Sequence, residues 1–479
     1  MKSFLLALAV GQTLAAAVPP QLNQGTKIVK RQSADLVSAL SALMGPSGGL
    51  LGSTIKGTLG EFKGSEQATE AYMELAKSMG ATEDKAGYMG VVSNLWTNQG
   101  YGKVQPSAGS APRREDKPAR TKVAGSQSVK MRYGPYKVQN STYKSAMDEY
   151  GMLANYVERN IEKPCVRCTL LGMTAGLEYE NGKNANIDTG LWLHHMVMFN
   201  VGDDRQDATC HQREISVPHV FIGETPRNSE RFFLSGNERT PVMFTEWGVG
   251  DAGYNIKTSD KLAVIIDIMN DTPRDVVTWL TIQWDFIDGH PYDYEIKPIW
   301  LDARQCGTSE VNPPAGQKKF TIDYKWKSDV AGQIVGTIEH LHDGGTNMTV
   351  SIDGRLACDS ESLYGTKPEY ISAPMAPMAP APAPATSGTA AAGGHAGHGS
   401  ATPPGAAGGG HGHSMGAGKH ISVQKACYGP SLLEKTLKIG QTVAMSGYYD
   451  YNKYPGQVHE DGKPDEVMGL GIVYYRVRR

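Results

Sequence analysis

The sequence predicts an all-β protein: two consecutive jelly-roll-like β-sandwiches behind a helical or irregular N-terminal extension. Three observations carry this. From about Tyr133 onward the chain breaks into short apolar and aromatic runs separated by Gly, Asp, Asn and Pro, the enrichment and punctuation of strands. The 56 Gly and 27 Pro exceed what a helical bundle carries and fit turn-rich β structure with low-complexity linkers. About 350 residues of regularly spaced strands divide into two units of roughly 150, one sandwich each.

Residues 1–17 read as a signal peptide: Lys2, the apolar run Phe4 to Val10, then the small residues Ala15, Ala16 and Ala17 before Val18. A candidate pro-peptide, residues 18–31, ends at the dibasic pair Lys30-Arg31. Over 32–126, two stretches with apolar residues at three- and four-residue spacing, 35–44 and 66–79, predict helices. A linker over 105–126 follows, where Pro106, Pro112, Arg113, Arg114 and Pro118 leave no apolar periodicity. The first sandwich, 127–305, is expected to hold strands at 191–199, 262–268 and 276–286. The second, 306–479, is expected to hold strands at 320–326, 334–342, 348–352, 437–449 and 470–477. Gly307, Pro313, Pro314 and Gly316 interrupt the strands between the two. An insert over 368–419, Pro/Ala-rich and then Gly/His-rich, lacks the composition of a packed core.

Charge and hydropathy exclude two classes of partner. With 47 Lys+Arg against 49 Asp+Glu, a formal net charge of -2, and no basic block, the chain lacks the clustered cations that nucleic acid requires. No membrane span is expected, because no run approaches about 18 apolar residues. A secreted protein, extracellular or in the cell wall, is the expectation. That route makes Cys165, Cys168, Cys210, Cys306, Cys358 and Cys427 disulfide candidates with open connectivity. Cys165 and Cys168 would form a redox or zinc half-site in the cytosol; without a second CxxC, a structural bridge is the reading. A Cys358–Cys427 bond would close the insert at its base. Sequons at Asn140, Asn270 and Asn347 fit a secreted glycoprotein.

The chemistry rests on histidines. Residues two apart on a strand share a face, so His340 and His342 can offer two imidazoles to one ion, or else lie solvated on an exposed face. His194 and His195 are adjacent and point oppositely unless a bulge redirects one. Met468, in a strand with Val467 and Leu470, is either a soft ligand or core filling. Two imidazoles and a thioether suit copper cycling between Cu(II) and Cu(I). His395, His398, His411, His413 and His420, with Met415, make the insert either a copper-collecting loop or a plain spacer. His459 is a further candidate ligand or proton donor, and His290 reads as turn chemistry.

The stretch Asp188 to Phe199, centred on His194-His195-Met196, resembles the His-His-Met segment of the copper type II, ascorbate-dependent monooxygenases, the group of peptidylglycine and dopamine hydroxylases. Gly336 to Gly345 resembles their HxH strand, and Asp465 to Tyr475 resembles the strand with their methionine ligand. The order and approximate spacing agree over about residues 130–479. Cys168 to Tyr179, together with Ala357-Cys358 and Ala426-Cys427-Tyr428-Gly429, also resembles secreted fungal relatives of the plant stress up-regulated nodulin family.

The resemblance implies a catalytic, oxygen-binding copper at His340, His342 and Met468. It implies a second, electron-transfer copper at His194 and His195 across a solvent cleft, with ascorbate as reductant. The implied reaction is monooxygenation of a small organic or cell-wall substrate. Two departures stand out. The position of the family's third histidine on the second copper falls in Val264 to Asn270, which has none; Asp267 or Met269 would substitute, or His211, His219 or an insert histidine would complete the set. The arginine that peptide-amidating relatives place two positions before HxH is Ile338 here, so a glycine-extended peptide is not an expected substrate. Glu339 and Asp343 flank the motif, either orienting imidazoles or facing solvent. The alternative class is a non-catalytic copper-binding or cell-wall and stress-related protein on the same scaffold. A Gly-x-Ser-x-Gly elbow, the mark of many serine hydrolases, does not accompany any histidine.

Overall fold

The computed structural model describes residue 98 and residues 100–144, 150–213, 216–307, 309–372, 418–458 and 463–479. The signal peptide, the candidate pro-peptide, both expected N-terminal helices and most of the insert lie outside the described residues. Strands β1 (Gln127–Val138), β2 (Met152–Ile161), β3 (Cys168–Tyr179), β4 (Leu191–Val201), β5 (Ser229–Gly236), β6 (Ala252–Ile256), β7 (Lys261–Asn270) and β8 (Val276–Asp288) build the first half. The second half uses β9 (Tyr294–Asp302), β10 (Lys319–Lys327), β11 (Gly332–Leu341), β12 (Gly345–Ile352), β13 (Arg355–Tyr364), β14 (Ile421–Gln424), β15 (Thr442–Asp450) and β16 (Val467–Arg478).

One sheet runs through both halves in the order β1-β8-β3-β6-β9-β16-β11. The sheet β2-β7-β4-β5 packs on its first part, and β10-β15-β12-β13-β14 packs on its second. The result is the expected all-β sandwich architecture, with continuous pairing across the middle. β16 is buried on both faces, which is why it reads as a nearly unbroken apolar run. Met468, Leu470, Ile472 and Tyr474 enter the first core, whereas Val467, Val473 and Tyr475 enter the second. Between them Gly469 and Gly471 keep the second face bare, because a Cβ there would lie 2.8 Å from Ile322 and 2.7 Å from Met348.

Seven of the eight expected strands form as single strands, with adjusted ends. The expected strand 437–449 is broken in two, Thr436–Leu437 and Thr442–Asp450. The chain turns between them at Gly440, whose φ of 88° is left-handed. The linker reading of 105–126 needs correction: Arg114–Lys117 is a strand paired with β1. Edge pairing uses backbone groups alone, so four charged residues form a strand without apolar periodicity. Arg120 then anchors the segment, its Nε 2.8 Å from Oδ2 of the buried Asp285.

The cysteines pair as Cys165–Cys168, Cys210–Cys306 and Cys358–Cys427. This set is compatible with an extracellular protein, and its last member closes the insert. The Asn270 sequon is not a glycan site in the folded chain. Its side chain is buried, and its Nδ2 donates to the carbonyls of Gln139 at 3.1 Å and Arg274 at 2.8 Å. Among the described residues no helix is long and apolar enough to cross a membrane.

His219, in the short helix Val217–Phe221, is fully buried, its Nδ1 2.8 Å from Ser216 Oγ and its Nε2 3.5 Å from Asp207 Oδ2. Burial, reinforced by the Arg231 charge and opposed by Asp207, pushes the imidazole down to about 3. The unfolded chain therefore binds the proton that the native chain refuses. This contribution to stability is complete above an unfolded value of about 6.5 and declines as pH falls from there towards 3. Replacing His219 by Gln should flatten the slope of unfolding free energy against pH in that window by up to about 1.4 kcal/mol per pH unit. Denaturant titrations at pH 7.5, 5.5 and 4.5 measure it; parallel curves for the two proteins would refute the assignment.

Candidate metal centre

The two histidine motifs come from different sheets. Along β4 and β7, Asp267 is opposite His195 and Ile268 is opposite Leu193, so His194 is an extra residue in a bulge. The bulge lays the adjacent rings side by side, with centroids 4.9 Å apart. On the continuous sheet, β11 and β16 pair His340 with Leu470 and Leu341 with Gly469. Alternation then turns His340 and His342 toward the first half, on the face opposite Leu341.

All four rings meet there. Centroid separations are 4.7 Å for His194–His342, 5.5 Å for His340–His342, and 6.4 Å for His195 to both His340 and His342. With nitrogen–metal bonds of about 2 Å, rings sharing one ion have centres roughly 4.5–6.5 Å apart. The expectation of two centres separated by a solvent cleft is therefore corrected: both motifs line one cluster. The HxH segment brings its imidazoles across the interface to the rings of β4, while β7 carries none.

Three of the rings are held from behind. His195 Nδ1 lies 2.8 Å from Asp267 Oδ2, and Asp267 Oδ1 accepts the Asn155 N–H at 2.5 Å. His340 Nδ1 is 3.2 Å from both oxygens of Glu238, whose Oε1 accepts the Gly236 N–H at 3.1 Å. His342 Nδ1 is 2.9 Å from the Glu466 carbonyl. An acceptor at Nδ1 keeps the proton there and leaves the Nε2 lone pair to point forward. The Nε2 atoms of His195, His340 and His342 are buried without any protein hydrogen-bond partner. Such orphaned nitrogens are costly in an apolar interior, and a bound metal would satisfy all three. Among the described residues no group of three or more His, Cys, Asp or Glu side chains stands in a geometry that could hold a metal ion; the fold supplies proximity and orientation, and the rings would have to shift to close on one.

Electrostatics act in opposite directions on two of the rings. Burial, with His340 and His195 nearby, pushes His342 down to about 4, so its ring is uncharged at neutral pH. Burial also disfavours a charge on His195, but the Asp267 carboxylate outweighs it and raises the value. Met468 packs with Ile338 and Leu470 on the imidazole side of the sheet. Tyr449 ties it to the motif by donating to the Met468 carbonyl at 2.6 Å and accepting the His342 N–H at 3.1 Å.

The other candidates fall elsewhere. Asp267 stands behind His195, at Nδ1, and Met269 packs with Met152, Trp192 and Tyr370. His211 has its nitrogens 3.0 Å from the Ala208 carbonyl and 3.0 Å from Asp329, and His219 belongs to the Asp207 group described above. Glu339 does not orient the imidazoles; it points into the second sandwich, where burial pushes its carboxyl up to about 8. Asp343 holds His420 instead, with Nδ1 to Oδ2 at 2.6 Å, while His420 Nε2 is 3.0 Å from Ser372 Oγ. Ser372 N donates to the Gly418 carbonyl at 3.1 Å, so the two ends of the insert are clasped beside the cluster. His395, His398, His411, His413 and His459 lie outside the described residues.

Sequence reasoning missed Glu238 and the Glu466 carbonyl. The one local trace of Glu238 is Gly236, where a Cβ would lie 2.4 Å from the His340 ring.

No protein-family profile matches the chain. It is 27% identical over 349 residues to "Probable copper-dependent oxygenase M1" of Phoma sp., covering 72% of this chain and 71% of that protein. It is 28% identical over 305 residues to "Probable copper-dependent oxygenase clz3" of Cochliobolus lunatus, covering 63% and 77%. These relatives support kinship with copper-dependent oxygenases. Solved structures of PNGF-II in two crystal forms align over 83% and 82% of this chain and 68% of theirs, at 8% and 7% identity and a TM-score of 0.29. Superposition that loose carries no argument.

Two substitutions test the supports. Asp267→Asn should lower copper affinity by roughly 10–100-fold, the usual cost of losing a partner behind a ligand, with little loss of stability. Gly236→Ala should displace the His340 ring and weaken binding by a similar factor. Competition with a calibrated chelator reads both; unchanged affinity in both variants would remove the centre as drawn.

Proposed function

We propose that the chain is a secreted copper-dependent monooxygenase in which His195, His340 and His342 hold the metal, Met468 supplies a soft fourth donor, and His194 borders the site. The three buried, oriented and unpartnered Nε2 atoms carry this reading. Neutral imidazoles with a thioether are the donor set that accommodates both copper oxidation states. Copper, when bound, supplies one-electron redox change and affinity for dioxygen.

The chain's own residues do the rest. Asp267, Glu238 and the Glu466 carbonyl keep the Nδ1 protons away from the metal side. Burial holds His342 neutral and excludes water. A narrow cleft lined by Trp192, His194, Asn237, His342 and Gln457 leads to the rings. The overall chemistry places one oxygen atom in a small organic or cell-wall substrate and the other in water, consuming two electrons from a reductant such as ascorbate and two protons, one from the ascorbate monoanion and one from solvent. Residues 1–17 as a signal peptide and three disulfides support secretion.

One observation favours the alternative of a non-catalytic copper protein. Both histidine motifs are used in one cluster, which leaves no separate imidazole pair among the described residues to store the second electron. Oxygen uptake separates the two readings. The purified protein should bind copper and consume oxygen with ascorbate, and His340→Ala should lose both properties. Met468→Ala should retain Cu(II), weaken Cu(I) and lower turnover by about tenfold or more. Copper binding without oxygen uptake would establish the non-catalytic reading, and full activity of Met468→Ala would remove the thioether from the centre.

A further inference from the structure

A cavity of about 400 Å³ adjoins the imidazole cluster, and Glu238 forms part of both walls. Glu238 meets His340 at Nδ1, so the cavity lies behind the ring, away from Nε2. Its lining is polar, with Asn184, Thr240, Tyr370 and the charged groups Arg239, Lys367 and Glu369. Lys367 is exposed and Glu369 half-exposed, and the two offset each other at the rim. Glu238 is committed to His340 and the Gly236 N–H.

Arg239 is therefore the charge left over. Its Nη1 donates to Asn184 Oδ1 at 2.8 Å and its Nη2 to the Ala185 carbonyl. Among the described residues no carboxylate pairs with it, and its Nε–H is buried without an acceptor. The residue also holds a left-handed φ of 47°, which costs a non-glycine residue energy and clusters at functional positions. A half-buried guanidinium with neutral partners only, its Nε–H shielded and idle, is a charge that an anion in the cavity would balance.

We propose that this cavity binds a small organic anion through Arg239, a charge shared by an ascorbate-type enolate and by a carboxylate substrate. Its place behind His340 favours the reductant. Oxygen insertion needs the reacting carbon on the Nε2 side, whereas an electron donor works across one intervening side chain. An ascorbate monoanion loses two electrons and one proton to become dehydroascorbate, the two electrons that a monooxygenation consumes. The link to oxygen chemistry rests on the proposed function; the anion site itself does not.

Calorimetric titration of the metal-free protein, in which ascorbate has no copper to react with, tests binding apart from activity. Ascorbate, succinate and the uncharged inositol are the probes. Ascorbate should bind, inositol should not, and Arg239→Gln should weaken ascorbate at least about tenfold, with Arg239→Lys intermediate. Lys367→Glu, an exposed change that leaves the core untouched, should weaken it by a few-fold and carries the test if Arg239→Gln does not fold. Succinate binding without ascorbate binding would keep the anion site and assign it to substrate. Binding of neither anion, equal binding of inositol, or unchanged ascorbate affinity in Arg239→Gln or Lys367→Glu would overturn the proposal. Absence of copper binding, measured separately, would refute the metal centre while leaving this result to stand.

Discussion

The register of β16 between β9 and β11 is the constraint on which the molecule turns. This strand is hydrogen-bonded on both edges and buried on both faces, so its alternation decides what each half of the protein receives. Leu341 opposite Gly469 sends Leu341 into the second core with Ile322 and Met445 and turns His340 and His342 toward the first. A slip of one residue would reverse every side chain, placing the imidazoles inside the second sandwich and Gly469 and Gly471 where bulk is required. Tyr449 locks the register by bonding to both His342 and Met468 across neighbouring sheets.

The bulge at His194 is the matching constraint on the other side. One unpaired residue in β4 converts a motif whose side chains would diverge into two rings on a common surface. The register of β7 with β2 shifts at the same level, between Ile266 and Ile268, and Asn155 takes a left-handed φ of 46°. That irregularity brings a backbone N–H to Asp267, whose other oxygen supports His195. Local departures from regular pairing at one level of the sheet are thus the means by which a ligand and its partner are aimed.

Polar groups around the cluster are arranged in two tiers. Acceptors from three separate segments, Asp267 in β7, Glu238 after β5 and the Glu466 carbonyl before β16, take the rear nitrogens of three rings. A further pair, Asp343 and His420, clasps the root of the insert, with the His420 ring edge-on to Trp192 at 4.4 Å. The Cys358–Cys427 bond closes the same root from the second sandwich. The insert is thereby joined to the body next to the imidazoles, whatever path it takes beyond Ser372.

Fold class, seven of the eight best-marked strands and the shared face of His340 and His342 were legible in the sequence, because strand periodicity is a short-range property of side-chain alternation. The need for a bulge at His194-His195 was legible for the same reason, and so was the possibility of a Cys358–Cys427 closure. The meeting of the two histidine motifs was not. It depends on which faces of two sheets oppose each other, a matter of sheet order and of a core built by residues hundreds of positions apart. Glu238 and the Glu466 carbonyl were also invisible, since a loop carboxylate and a backbone oxygen carry no periodic signal. Arg114–Lys117 escaped notice because edge pairing needs no apolar side chain, and Asn270 passed as a surface sequon because burial is a tertiary fact. The sequence by itself determined which residues share a strand face; the tertiary structure decided which faces meet, because that choice is made by long-range packing and not by local alternation.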